Sequence, residues 1–186
     1  MAKQEIRRAS HQYPMPIVLV GAQRDGRANF MPAAFCGMLN VKPPILALGL
    51  ALGHFTTAGI RENGAFSVNI PSTDMVKVTD YCGLVSGHKQ DKSGLFKVFY
   101  GKLKTAPMIE ECRLTMECRL MQEIEFAPDG AFIGEIVAAY CDEEYMDGKL
   151  PDMAKLDPII FSMGDNSYWN IGKKIGTAWS IGKDYI

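Results

Sequence analysis

Residues Cys82-Gly83-Leu84-Val85-Ser86-Gly87-His88-Lys89-Gln90-Asp91-Lys92 combine glycines, a hydroxyl, a thiol and two lysines in one short stretch. Glycines let the backbone approach a ligand closely. Lys89 and Lys92 bring fixed positive charge, which neutralises phosphate through charge-assisted hydrogen bonds. The chemistry that follows is the holding of a phosphorylated ligand. Read alone, the stretch is equally a solvated surface loop. His54-Phe55-Thr56-Thr57 opens a short helix, and the free amides of a helix start receive an anion. Thr56 or Thr57 serving only as an N-cap explains the same residues. In Asn29-Phe30-Met31-Pro32-Ala33-Ala34-Phe35-Cys36, Pro32 and the small residues keep a strand open, and Asn29 offers donor and acceptor together. A flat heteroaromatic ring fits along such a strand. A bent core strand is the other reading.

The elements that must position these residues are mostly strands. Pro16 to Val20 and Ile45 to Leu50 are continuous apolar runs, which predict buried strands. Asn29 to Leu39 predicts another, bent near Pro32, and Ala65 to Ile70 one that stops at Pro71. From Leu114 to Phe126 the apolar residues Leu114, Met116, Cys118, Leu120, Ile124 and Phe126 recur at period two, which predicts a long strand with that face buried. Pro128-Asp129-Gly130 turns the chain, and Phe132 to Tyr140 returns as its partner. Helices are few: Thr56 to Glu62, stopped by Asn63-Gly64; Thr73 to Tyr81, capped by Ser72 or Thr73; and a turn at Pro151 to Lys155. Many strands with few helices predict a mainly β, α+β chain: an antiparallel barrel with short inserted helices, as one domain over residues 1–186. The aromatic tail, Tyr168-Trp169 and then Trp179, is read as closure of the core.

Composition narrows the function classes. A net charge of −1 excludes a global field toward nucleic acid or anionic lipid. No apolar run reaches the roughly 18 residues of a membrane span, and the first residues lack an apolar signal core. The expected location is the cytoplasm, with neither nucleic acid nor membrane as partner. The five cysteines, Cys36, Cys82, Cys112, Cys118 and Cys141, form no Cys-x-x-Cys pair. They read as free thiols, mostly in the core, with Cys82 set apart by its glycine-rich neighbours. His11, His54 and His88 are too widely spaced to suggest a local metal site.

In order along the chain, several segments resemble the flavin reductase-like family of FMN-binding split barrels, flavoredoxins most of all. They are Pro14 to Gly21, Asn29 to Gly37, Lys42-Pro43-Pro44, His54-Phe55-Thr56, Ile60 to Pro71 and Asp80 to Gly87. The resemblance implies a split barrel that holds FMN non-covalently near the interface of a homodimer. It implies that Asn29, Met31, Pro32, Ala33, Ala34, Phe35 and Cys36 run beside the isoalloxazine ring. It implies that Thr56, Ser86 and Lys92 face the phosphate and ribityl side, with Leu50, His54, Thr57, Asn69, Cys82 and Gly87 completing the set. Two positions depart from the family pattern: Phe35 stands where an indole is expected, and Ala131 where a histidine is expected nearby.

The function so implied is a redox flavoprotein that passes electrons from NAD(P)H or a protein donor to flavin, iron or another acceptor. The cofactor does the chemistry, and no side-chain acid or base is obligatory. A non-enzymatic electron carrier, a barrel binding haem or another small molecule, and a pure interaction protein remain as alternatives.

Overall fold

Asp25 and Gly26 both carry positive φ, 51° and 72°, and they reverse the chain as a two-residue hairpin turn. In the computed structural model, which describes residues 1–185, the elements run β1 (Met15–Pro16), β2 (Val18–Arg24), β3 (Arg27–Ala33), β4 (Cys36–Asn40), β5 (Ile45–Ala51), α1 (Phe55–Asn63), β6 (Ala65–Ile70) and α2 (Val76–Leu84). They continue as β7 (Val98–Phe99), β8 (Met108–Ile109), β9 (Leu114–Glu125), β10 (Asp129–Cys141), β11 (Met146–Asp147), β12 (Leu150–Pro151), α3 (Met153–Leu156), β13 (Ile160–Ser162) and β14 (Ser167–Trp169). Seven strands form one antiparallel sheet in the order β3-β2-β6-β9-β10-β5-β4. It curls into an open barrel, and β1, β13 and β14 make a small sheet beside it.

The two apolar runs read as buried strands behave differently. In β2, Val18, Val20 and Ala22 enter the barrel interior with Leu46, Leu48, Phe66, Val68 and Phe132. Leu19 points the other way, into a second core with Phe30, Met75, Phe96 and Ile109. That strand is covered on both faces. In β5 only Leu46, Leu48 and Leu50 are buried, while Ile45, Ala47, Gly49 and Ala51 are half-exposed. The run is continuous because its second face is small and apolar, not because the chain covers it.

Strand β9 corrects the period-two reading. Thr115 and Glu117, on the face assigned to solvent, are buried, whereas Ile124 and Phe126 are exposed. The segment 100–109 lies over the first half of the strand and inverts its polarity. Glu117 accepts from the backbone N–H groups of Lys102 (2.8 Å) and Leu103 and from the Tyr140 hydroxyl (2.7 Å). A Cβ on Gly101 would come within 2.4 Å of Glu117 Oε1, so only glycine lets the loop approach.

The remaining elements need smaller adjustments. The candidate strand Asn29 to Leu39 is two strands, interrupted where the Phe35 carbonyl accepts from Gly49 N–H at 2.8 Å. Helix α1 stops as expected, at Gly64 in the left-handed region (φ 60°). The predicted helix from Thr73 begins as a 3₁₀ turn and becomes α2 only at Val76. Neither Ser72 nor Thr73 caps it, because their hydroxyls bond Asp74 and Asp157. The turn expected at Pro151 to Lys155 is where α3 forms, running one residue further to Leu156, and its N-cap Asp152 accepts from Ala154 and Lys155 N–H. The tail does not close the core: Trp169 is 57% and Trp179 97% exposed, since the interior is already filled. All five cysteines are free.

Burial pushes the Glu117 carboxyl up, but its N–H and O–H donors outweigh that and hold it below the usual glutamate range. Its stabilisation is complete above the ordinary glutamate value and is lost as pH falls through the depressed one. Glu117→Gln is expected to cost about 2 kcal/mol in urea unfolding at neutral pH, and to lose that part of the acid slope.

Candidate functional site

Two clefts meet at Met31, Pro32 and His54. The first, about 280 Å³, is enclosed by Asn29, Phe55, Thr56, the chain from Cys82 to Gly87, and Lys92. The second, about 210 Å³, is a groove lined by Ala33, Ala34, Phe35, Gly49, Leu50, Ala51, Asp129, Phe161 and Met163. Ligand sites commonly span roughly 300–1,000 Å³, so only the joined clefts reach a cofactor's size. A larger cleft of about 840 Å³ lies by Leu114, Tyr140 and Cys141. It holds charges of both signs and no helix start. Donor chemistry, not volume, singles out the smaller pair.

The first cleft is built for an anion. His54 is the N-cap of α1 in extended conformation, and its side chain makes no capping bond. The first amides of α1 have no intrahelical acceptor and stand at the positive end of the helix dipole. Thr56 Oγ1 accepts from Asn29 Nδ2 at 2.6 Å, which leaves its own hydroxyl proton to be donated elsewhere. Lys92 is only 3% exposed and donates to the carbonyls of Cys82 (3.0 Å) and Val85 (3.2 Å). An ammonium has three donors, so one remains. Gly87 is obligatory, because a Cβ there would lie 2.6 Å from Asn29 Oδ1 and 2.9 Å from the Phe55 ring. The Arg24 guanidinium lies 4.7 Å over the outer face of that ring and adds positive charge at the mouth.

Burial lowers the pKa of Lys92, and burial pushes the Cys82 thiol up despite the nearby Lys92 charge. Cys82 is therefore a protonated wall residue. His54 is lowered first by burial and then by Lys92 and His88, against the opposing pull of Asp129. At neutral pH it is an uncharged imidazole at the junction of the clefts.

The second cleft is apolar and shallow. Met31, Ala33 and Leu50 are buried beneath it, and Phe35 stands over Gly49, 41% exposed, at its rim. Ala33, Ala34, Gly49 and Ala51 leave part of its lining without bulky side chains, as a flat ring requires.

Of the residues expected at a site, Asn29, Met31, Pro32, Ala33, Ala34, Phe35, Leu50, His54, Thr56, Cys82, Ser86, Gly87 and Lys92 line the two clefts. Three do not. Thr57 is buried and donates to Ala51 O at 2.9 Å. Asn69 is buried beneath β2, bonded to Leu19 O, Ser67 Oγ and the Ile109 N–H, and it is a core polar clamp. Cys36 turns onto the barrel core, where burial pushes its thiol up to about 11. Lys89 is exposed and lines neither cleft. Sequence reading named Phe55 with His54 and Thr56 but not Arg24, which stacks on Phe55, nor Asp129, Phe161 and Met163 at the groove. Asp25-Gly26, flanked by apolar runs, signals the hairpin that delivers Arg24; nothing local signals Phe161.

The family model for the flavin reductase like domain matches residues 10–161. The flavoredoxin of Methanosarcina acetivorans is 50% identical, covers 100% of both chains and superposes with a TM-score of 0.98. The flavoredoxin of Desulfovibrio vulgaris (Miyazaki F) is 35% identical over 98% of this chain and 100% of its own, with a TM-score of 0.91. An uncharacterised protein of Archaeoglobus fulgidus is 30% identical over 179 residues, 94% of this chain and 98% of its own length. A split-barrel domain protein of Shewanella frigidimarina shares the fold at 20% identity and a TM-score of 0.80, over 92% of this chain and 89% of its own.

Two measurements test this geometry. Lys92→Met is expected to weaken binding of a phosphorylated ligand by about 2 kcal/mol in calorimetry. The depressed His54 pKa destabilises the apo protein as pH falls below the ordinary histidine value of 6.5. His54→Gln is expected to flatten the melting-temperature profile between about pH 5 and 7.

Proposed function

This chain belongs to the flavin reductase-like family, and on that premise we propose that it is an FMN-dependent oxidoreductase working as a homodimer in the cytoplasm. The buried Lys92 ammonium, fixed beside the start of α1 and joined through Met31, Pro32 and His54 to a small-residue groove, is the observation that carries the reading. FMN matches that pairing with a dianionic phosphate at one end and a planar ring at the other.

The α1 amides, the Thr56 hydroxyl, Lys92 and the Ser86-Gly87 backbone would hold the phosphate. The segment from Met31 to Phe35 and the Gly49–Ala51 backbone would flank the ring, with neutral His54 between the two ends. When bound, FMN supplies hydride and single-electron chemistry. The chain's own part is to orient the ring, to exclude water from one face through Leu50 and Met31, and to set fixed charge near the cofactor. Phe35 offers a smaller stacking surface than an indole. Ala131 pairs with Gly49 in the sheet, so the groove has no imidazole at that edge.

The groove is open on its outer side. Phe161 is shared with a further cleft of about 760 Å³ that also presents Tyr13 and Trp169. An accessible ring face beside aromatic side chains favours stacking of a nicotinamide over mere edge exposure, and so favours a reductase over a carrier.

The dimer reading rests on the uncovered face of the barrel. Ala51–Asp129, Gly49–Ala131, Ala47–Ile133 and Ile45–Glu135 are cross-strand pairs on one face, with charge only at its two ends. A two-fold axis sets such a face against itself without burying an ion pair.

Purified protein is expected to carry a yellow chromophore that extraction identifies as FMN, bleached anaerobically by NADH or NADPH and turning over with added free flavin. Protein that gains no visible absorbance from FMN would defeat the cofactor reading. A yellow protein without nicotinamide turnover would leave the carrier reading.

A further inference from the structure

Tyr13, Phe161 and Trp169 stand around the cleft of about 760 Å³ beside the small sheet, and the turn residues Ser162, Gly164 and Asp165 also line it. Its volume is that of a small-molecule site. Tyr13 is 50% and Trp169 57% exposed. Single exposed aromatics are ordinary on a protein surface, but three around one concavity mark a place where something binds.

The walls of this cleft are held in place despite their exposure. The Trp169 indole N–H donates to Ser162 Oγ at 3.0 Å, and the Ser162 hydroxyl donates onward to Asp165 Oδ1. Pairing of β13 with β14 sets Ile160 opposite Trp169 and Ser162 opposite Ser167, which places the indole beside its acceptor. Across the cleft, the Tyr13 hydroxyl is seated close over Gly164, where a Cβ would come within 2.0 Å of it. A surface side chain free to change rotamer loses that freedom when it binds a ligand, at a cost. The hydrogen bond on Trp169 has already removed much of it.

The charge of the cleft narrows its occupant. Asp165 is the only charged residue in the lining. Hydrogen bonds from Ser162 and Ser167 outweigh burial and hold its carboxyl below the usual aspartate range, so it is an anion at neutral pH. No lysine or arginine lines this cleft, in contrast to the one at Lys92. A phosphate here would meet a carboxylate with no counter-charge. A flat cation would meet aromatic faces, which attract it through their quadrupoles, and the Asp165 charge beside them.

We propose that this cleft is a second ligand site, which takes a flat aromatic molecule that carries no phosphate and is cationic or neutral, the cation being preferred. Phe161 also lines the ring groove, so this ligand and a bound cofactor would share one aromatic wall. The ligand class follows from the cleft's own residues, whereas its use as a second substrate rests on the flavin reading. The phosphates of a nicotinamide nucleotide find no cation here, so the nicotinamide of that reading belongs to the groove itself.

The test uses the full chain and two aromatic probes of similar size, methyl viologen as the dication and naphthalene disulfonate as the dianion. With Trp179→Phe, Trp169 is the single indole of a protein that has two tryptophans, and quenching of its emission reports this cleft. Methyl viologen is expected to bind saturably in calorimetry, to quench Trp169 in step, and to bind at least about tenfold more tightly than the disulfonate. Trp169→Leu is expected to weaken viologen binding at least about tenfold. Asp165→Asn, which keeps an acceptor for Ser162, is expected to remove most of the preference for the dication. Absence of saturable viologen binding, equal or tighter binding of the disulfonate, or unchanged viologen affinity in Trp169→Leu overturns the site. Flavin absorbance is recorded on the same samples. Colourless protein that gains no absorbance from FMN yet binds viologen at Trp169 sinks the cofactor reading alone, and yellow protein without that binding sinks this site alone.

Discussion

The buried ammonium of Lys92 is the constraint around which the site is arranged. Taking a cation out of water is costly unless partners replace its hydration. Two carbonyls, from Cys82 and Val85, do part of that, and their geometry fixes the loop between α2 and residue 92. Among the described residues no carboxylate pairs with it. A bound anion would add compensation that the helix start opposite, with its positive potential, does not. The apo site thus stores unfavourable electrostatics that an anion releases. A group that binds only the folded state stabilises it by mass action, so cofactor loading and fold stability are linked through this one side chain.

That arrangement was partly legible in the residue order. Gly87 and Lys92 were half-readable: their stretch offered close backbone approach and positive charge, but read alone it was equally a solvated loop. The α1 start was readable from His54-Phe55-Thr56-Thr57 ahead of Asn63-Gly64. That Asn69 and Thr57 lie outside the clefts could not be read, because a polar residue in a strand or first helical turn looks alike whether it faces a cleft or clamps a carbonyl. Only burial and partners separate the two cases. Phe161 and Asp129 could not be found locally, since they reach the groove by strand pairing across the whole chain. The period-two reading of β9 failed at Glu117 for a related reason. A strand's polarity follows what covers it, and the covering segment 100–109 has no hydrophobic signature pointing at Glu117.

The contrast between β2 and β5 carries more weight than either alone. Both read as continuous apolar runs, yet β2 is sealed between two cores and β5 is sealed on one side. Had β5 been covered within the chain, Gly49 and Ala51 could not serve as the floor of a groove. The small residues on its outer face keep that floor flat, and the same smallness makes the face a poor surface to leave in water over a long stretch. A ligand ring at one end and a second molecule over the rest would satisfy both demands, which ties the cofactor site to association on physical grounds.

Association in turn bears on the electronics of the groove. Phe35 and Ala131 are both smaller than the side chains the family pattern favours, and both stand at or near the rim where β5 meets its neighbours. Smaller rim residues leave more of a bound ring open, to water in a monomer and to the partner's surface in a dimer. Excluding water strengthens every charge interaction inside the site, because the effective dielectric falls. The fixed charge of Lys92 would then act on a bound ring more strongly in the proposed dimer than in the separated chain. In the proposed dimer, the departures at Phe35 and Ala131 would make the cofactor's environment more dependent on assembly, and would shift part of its tuning from a side chain to an interface.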